Sequence, residues 1–181
     1  TPTTTVFIPY RSEGEGNVVK DDYFGKVPAD RLKQDDKMIY FKIDGKMRTK
    51  IGVSQSRAKN IVGSFDTEKN VLTILWFNLP TEKKNYVNSQ WGKQNDPFTG
   101  DVINSYNDGP LEDGSIMGPF YEIETSSPAA NLQPNETIQQ IQCMIHLQGD
   151  KSAMDKIVQQ LFGVKLETIA DKLKKESKIL K

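Results

Sequence analysis

Glu122 and Glu124 stand one residue apart in a stretch, 117–125, whose alternation reads as a β-strand, so the two side chains share one face. That spacing holds two carboxylates roughly 6.5–7 Å apart along a strand. When such a pair is partly buried, repulsion raises the proton affinity of one member while the other stays ionised, which separates an acid from a base. Acid/base work on a neutral polyol or sugar requires only proton transfer, so no cofactor is expected. The separation lies between those of retaining and inverting glycosidases and selects neither. The same pattern also fits a solvated strand edge, or salt bridges to Arg48 or Lys50, which share a face of another predicted strand.

Other residues can assist a polar ligand. Asn104-Ser105-Tyr106-Asn107-Asp108-Gly109-Pro110 carries a strong turn signal. In its functional version Asn107 and Asp108 bond sugar hydroxyls at a cleft rim, with Tyr106 beside them. Trp91, in a polar loop, can stack on a sugar face or pack, whereas Trp76 lies in a strand apolar on both sides and reads as core. Arg48 can meet a charged substituent or simply lie on a solvated face. The sole histidine, His146, lies on the amide-rich face of the last predicted strand and joins the ligand-binding candidates. One histidine and one cysteine exclude an internal disulfide, a cysteine-based zinc cluster and a histidine pair, so no metal site is expected. Cys143 alternates with Ile141 and Ile145 and reads as a small buried hydrophobe. The loop 21–26 could hold a cation, but no spacing specifies one.

These residues need a mainly β scaffold. Period-two patterning predicts strands over 6–10, 38–44, 46–53, 61–65, 71–79, 102–106, 117–125 and 137–148. Asp44-Gly45 predicts a hairpin turn joining the second and third of these, and 66–70 a turn joining the fourth and fifth. The stretch 71–79 is apolar on both faces and is expected in the middle of a sheet. In the last strand Ile141, Cys143, Ile145 and Leu147 predict a packed face, and Gln142, Met144, His146 and Gln148 a wet or ligand-facing one. After Asp150, a helix cap, the spacing changes to helical, Gly163 interrupts it, and a second helix is expected over 166–178. The organisation read here is a β-sandwich portion over 1–149 and a helical extension over 150–181 packed on it.

The 181 residues suffice for one full core, and the balance of 24 basic and 24 acidic residues gives no general affinity for nucleic acid or an anionic membrane. No apolar run reaches membrane-spanning length. The compartment is not legible; a periplasmic or secreted bacterial setting is the expectation.

The segments 20–32, 104–110 and 118–130 resemble a family of uncharacterised bacterial proteins, and through it the galactose mutarotase-like superfamily of aldose 1-epimerases and sugar-binding relatives. Ile123-Glu124-Thr125, Pro128, Pro134-Asn135-Glu136 and a final strand follow the order found late in the epimerases. The resemblance implies an antiparallel super-sandwich and a carbohydrate ligand. It makes Glu124 the general base that takes the anomeric proton, with Glu122 tuning it. It also implies departures. The epimerase acid is a histidine from an earlier part of the fold, a position His146 does not match, and the super-sandwich usually needs more residues than are present. The expectation is therefore the C-terminal part of a longer protein whose N-terminal portion holds the acid. A non-catalytic carbohydrate-binding module and a structural domain without ligand remain as alternatives.

Overall fold

The computed structural model describes residues 2–90 and 92–174. In chain order its elements are β1 (Thr4–Pro9), β2 (Leu32–Gln34), β3 (Met38–Ile43), β4 (Thr49–Val53), β5 (Ile61–Asp66), β6 (Val71–Phe77), β7 (Ile103–Asn107), β8 (Tyr121–Thr125), β9 (Gln142–Gln148), α1 (Lys151–Phe162) and α2 (Leu166–Lys172). They form a six-stranded antiparallel sheet, ordered β2-β3-β1-β5-β6-β9, and a three-stranded one, ordered β4-β7-β8.

Alternation decides what each face of the larger sheet buries. Val6, Ile8, Ile39, Phe41, Ile43, Val62 and Phe77 pack with Ile51, Val53 and Ile103 from the smaller sheet, and Tyr121 and Ile123 lean on that cluster. The opposite face carries Phe7, Met38, Tyr40, Phe65, Leu72 and Ile74 against Met154, Val158 and Phe162 of α1 and Leu166 and Ile169 of α2. Each buried side chain of this size contributes about 1.5–3 kcal/mol. Asp150 caps α1 by accepting from the Ser152 N–H at 2.8 Å, and Gly163 ends it at φ 71°. The hairpin β5–β6 and the interior place of β6 are as its sequence predicts.

Four expectations need correction. Asp44-Gly45 does not make a hairpin, because β3 and β4 lie in different sheets. The chain turns a corner there, and Asn107 from β7 supplies what strand pairing would have supplied. Its Oδ1 accepts from the N–H groups of Asp44 and Gly45 at 3.1 and 3.0 Å, and its Nδ2 donates to the Met47 carbonyl at 2.9 Å. Arg31 grips the Asp44 carboxylate with both terminal nitrogens. Burial alone would raise the Asp44 carboxyl, but Arg31 and the Lys46 N–H outweigh it and hold it below the usual carboxylate range.

Trp76 is not core: it is 41% exposed, on the helix-side face between Ile61 and Cys143, beyond the cover of α1 and α2. Cys143 is exposed as well. The last strand begins at Gln142 and forms the sheet's edge, so of the face predicted to pack only Leu147 meets the helix-side core, while Cys143 and Ile145 stay exposed. Conversely, β2 is too short to show a period and is not anticipated. Of the predicted second helix, α2 accounts for Leu166–Lys172, and residues 175–178 lie outside those described.

One glycine sets how the helices dock. A Cβ on Gly63 would stand 2.1 Å from the Phe7 ring, which lies flat across that position and meets Phe162 edge-on with centroids 4.8 Å apart. Gly63→Ala is therefore expected to cost about 1–3 kcal/mol by overpacking, read as a lower urea midpoint. Phe7→Leu in the Gly63→Ala background recovers part of that loss if the ring is the obstacle.

Candidate functional site

The smaller sheet has one face on the core and one turned outward. Across its three strands the outward rows are Lys50–Tyr106–Glu122 and Gly52–Asn104–Glu124. The register thus places both glutamates on the outer face, and Arg48 and Asp108, just beyond the ends of β4 and β7, continue that face two residues along from Lys50 and Tyr106. Lys50 Nζ donates to both oxygens of Glu124 at 3.0 and 3.1 Å. Lys50 is nearly buried, while Glu124 keeps a third of its side chain exposed.

Glu122 differs. Burial against the surrounding sheet face pushes its carboxyl up first, and the neighbouring Glu124 adds to that, with Lys50 only partly offsetting both. The two acids are thus in unlike states. Glu124 is ion-paired, and Glu122 holds its proton more tightly than an ordinary glutamate.

Two side chains from elsewhere reach the same face. Tyr23 donates its hydroxyl to Asp101 Oδ2 at 2.5 Å. They lie directly over Gly52, where an added Cβ would stand 2.1 Å from the Asp101 carboxylate and 2.9 Å from the Tyr23 oxygen. Burial raises the Asp101 carboxyl, and the Tyr23 bond and Lys20 offset this only in part. Burial also raises the Tyr23 phenol, as does the Asp101 carboxylate. Lys20 and Lys50 stand 4.6 and 5.7 Å from the Tyr23 ring centroid, so cations flank the pair.

At the other end of the face Tyr106 meets Phe24 and Phe120 at centroid distances of 6.0 and 5.8 Å, with Arg48 over the Phe24 ring. The Tyr106 hydroxyl donates to Asp108 Oδ1 at 2.8 Å, and the Gly118 N–H donates to Oδ2 at 2.9 Å. Burial would raise the Asp108 carboxyl, but these bonds prevail and lower it. Phe24 and Phe120 remain more than a third exposed, giving the face an open aromatic rim.

The fold therefore brings together Glu122, Glu124, Tyr106, Arg48 and Asp108. It does not bring Asn107 or His146. Asn107 is fully buried on the inner face with its amide committed to the corner turn. His146 belongs to the larger sheet, where its Nδ1 lies 2.9 Å from the Thr73 hydroxyl. Trp91 lies outside the described residues. In the 21–26 loop, Asp21 accepts from Lys26 at 2.7 Å, so a lysine already holds the carboxylate suggested for a cation.

Asp101 is absent from the residues singled out by sequence, and Tyr23 and Asn104 enter only as members of a loop and a turn motif, although one signal was available. Gly52 interrupts an otherwise strand-favouring run, which marks a close approach by another part of the chain.

A cavity of about 610 Å³ lies beside the glutamates rather than over them. Lys20 and Asp101 form part of its wall, with Tyr86 and Phe98 across from them, so the Tyr23–Asp101 pair links cavity and sheet face.

A mainly β scaffold of two antiparallel sheets and two C-terminal helices, with a carboxylate-rich outer face, is the class that these observations define. The chain belongs to DUF6786, a family of unknown function, which matches residues 1–173. No curated protein and no solved structure gives a significant match.

A group whose proton affinity is raised by folding favours the folded state at low pH and works against it once ionised. Glu122→Gln is accordingly expected to be more stable than the parent at neutral pH. The advantage should vanish as the pH falls to about 4, where the glutamate is itself protonated. Paired thermal melts across that range check the sign.

Proposed function

We propose that the outer face of the β4–β7–β8 sheet recognises a carbohydrate and that Glu124 acts there as a general base at the anomeric centre, in the manner of an aldose 1-epimerase. The observation that carries this reading is the pair of carboxylates on one sheet face in unlike surroundings, Glu124 ion-paired with Lys50 and Glu122 pushed up by burial and by its neighbour. Hydroxyl-binding groups and an aromatic rim surround them, as polar rings with apolar faces require. The order of motifs around Glu124 gives the same direction, and a galactose mutarotase-like sandwich is the finer form of the fold that the reading entails.

The chemistry is a proton relay. Glu124 takes the anomeric hydroxyl proton, the C1–ring-oxygen bond breaks, and an acid protonates the departing ring oxygen. The open-chain aldehyde rotates about C1–C2 and recloses with the proton movements reversed. The Asp101 carboxyl is a candidate acid within the segment itself, because burial favours its protonated form and Tyr23 fixes its orientation. Glu122, beside the base, sets the electrostatics of Glu124.

One observation favours a second reading. Lys50 engages both Glu124 oxygens, which suits a side chain held as a hydroxyl acceptor as well as it suits a base. A binding module without turnover would keep the same face.

Polarimetry on freshly dissolved α-anomers of neutral aldoses separates the readings. Catalysed mutarotation is expected, falling by about 10²–10⁴-fold in Glu124→Gln and in Asp101→Asn. Binding by calorimetry without acceleration assigns the module reading. An inert result on both assays across a sugar panel removes the carbohydrate proposal.

A further inference from the structure

The cavity beside the glutamate face is walled largely by two loops, 11–17 after β1 and 80–84 after β6, and one turn holds both. That turn, 54–57 after β4, closes through the Arg57 N–H, which donates to the Ser54 carbonyl at 3.1 Å. Toward the first loop, the Arg57 guanidinium donates to the carbonyls of Arg11, Ser12 and Gly16 at 3.1, 2.6 and 2.6 Å. Gly14 lies so close to the turn that an added Cβ would stand 2.5 Å from the Ser56 carbonyl oxygen. Toward the second loop, Gln55 donates to the carbonyls of Pro80 and Glu82 at 3.0 and 2.7 Å, and its Oε1 accepts from the Lys84 N–H at 2.8 Å. Both loops are thus seated by the fold itself. A concavity of about 300–1,000 Å³ whose walls are already in place is the usual form of a small-molecule site.

The side chains of the wall state what kind of molecule fits. Arg11 and Lys20 come from the stretch after β1 and Lys83 and Lys84 from the stretch after β6, against two acids, Glu15 and Asp101. Asp101 already accepts from Tyr23, and the bond of Lys84 to Glu82, 2.8 Å long, is an exposed pair that holds the lysine weakly. An excess of cations drawn from two separate segments favours an anionic group in the cavity. Phe98, 57% exposed, adds an apolar ring face to the same wall. Tyr86, also in the wall, is buried, and its hydroxyl has no hydrogen-bond partner among the described residues. A buried phenol without a partner is costly, and a ligand oxygen would satisfy it. The C–H side of a ring suits Phe98, and ring hydroxyls suit Glu15 and Asp101 as acceptors.

We propose that this cavity binds a small hydroxylated ring that carries an anionic group, a carboxylate or a phosphate. The anion meets Arg11, Lys20, Lys83 and Lys84, and the ring lies against Phe98. The inference stands apart from the epimerase reading, since it concerns binding in the cavity and needs no turnover at Glu124.

Calorimetry with D-glucuronate, D-glucose 6-phosphate and D-glucose tests it. At least one of the two acids is expected to bind about tenfold or more tightly than glucose, and the tighter acid identifies the anion. Its affinity should fall as salt rises from about 0.05 to 0.5 M, because an anion held at an open cavity is screened. The double variant Lys83→Glu, Lys84→Glu changes two exposed side chains and is expected to weaken that acid about tenfold or more with unaltered circular dichroism. Phe98→Ala is expected to weaken it several-fold. Neither acid binding, glucose binding as tightly as the acids, or either variant binding as the parent does overturns the inference.

Discussion

Everything on the outer face depends on a buried corner. Between β3 and β4 the chain leaves one sheet for the other, and at that point its peptide groups lose the partners a hairpin would give. Asn107 replaces them, and Arg31 neutralises the Asp44 carboxylate that helps to fix the turn. Removing one member of such a buried ion pair costs about 3–5 kcal/mol, because the remaining charge is stranded away from water. The register of β4 against β7 follows from this corner, since Asn107 is itself paired with Thr49. A slip of one residue would send Lys50 and Gly52 to the core and Ile51 outward. The corner therefore decides which residues the outer face presents.

What that face presents is an asymmetry between like groups. Lys50 pairs with Glu124, while burial first and the nearby Glu124 next push the Glu122 carboxyl up. A second acid, Asp101, is shifted mainly by burial under Tyr23. Three carboxyl groups on one small sheet thus span ion-paired, crowded and desolvated environments. Unlike proton affinities on a shared surface are what proton-transfer sites use, and also what structural ion networks generate.

The sequence was most legible where period and burial agree. Strands β1, β3, β5 and β6 alternate against two packed layers, and the Asp150 cap and Gly163 break mark α1 without tertiary information. The outer-face location of Glu122 and Glu124 also follows from alternation alone. Legibility failed where long-range partners replace local signals. Asp44-Gly45 looks like a hairpin because nothing nearby shows that Asn107, 63 residues away, will take the turn's hydrogen bonds. Asn107 itself looks like a ligand residue because its turn context suits a cleft rim. Trp76 and Cys143 follow the core pattern but fall where the helical cover ends. Asp101 and Tyr23 meet across 78 residues, and only the missing Cβ of Gly52 hints at the meeting.

The Tyr23–Asp101 contact has a consequence for how the site is assembled. Tyr23 belongs to a largely irregular stretch between β1 and β2, which the paired backbone bonds of Lys20 and Gly52, each 2.8 Å, tie to β4 and the Tyr23 phenol ties to Asp101. Val18, Val19 and Val27 of the same stretch pack into the core between the two sheets, so it is fastened by buried side chains as well as by these bonds. The environment that raises the Asp101 carboxyl is therefore furnished by a segment 78 residues away, and the acid takes on its shifted character only once that segment has docked.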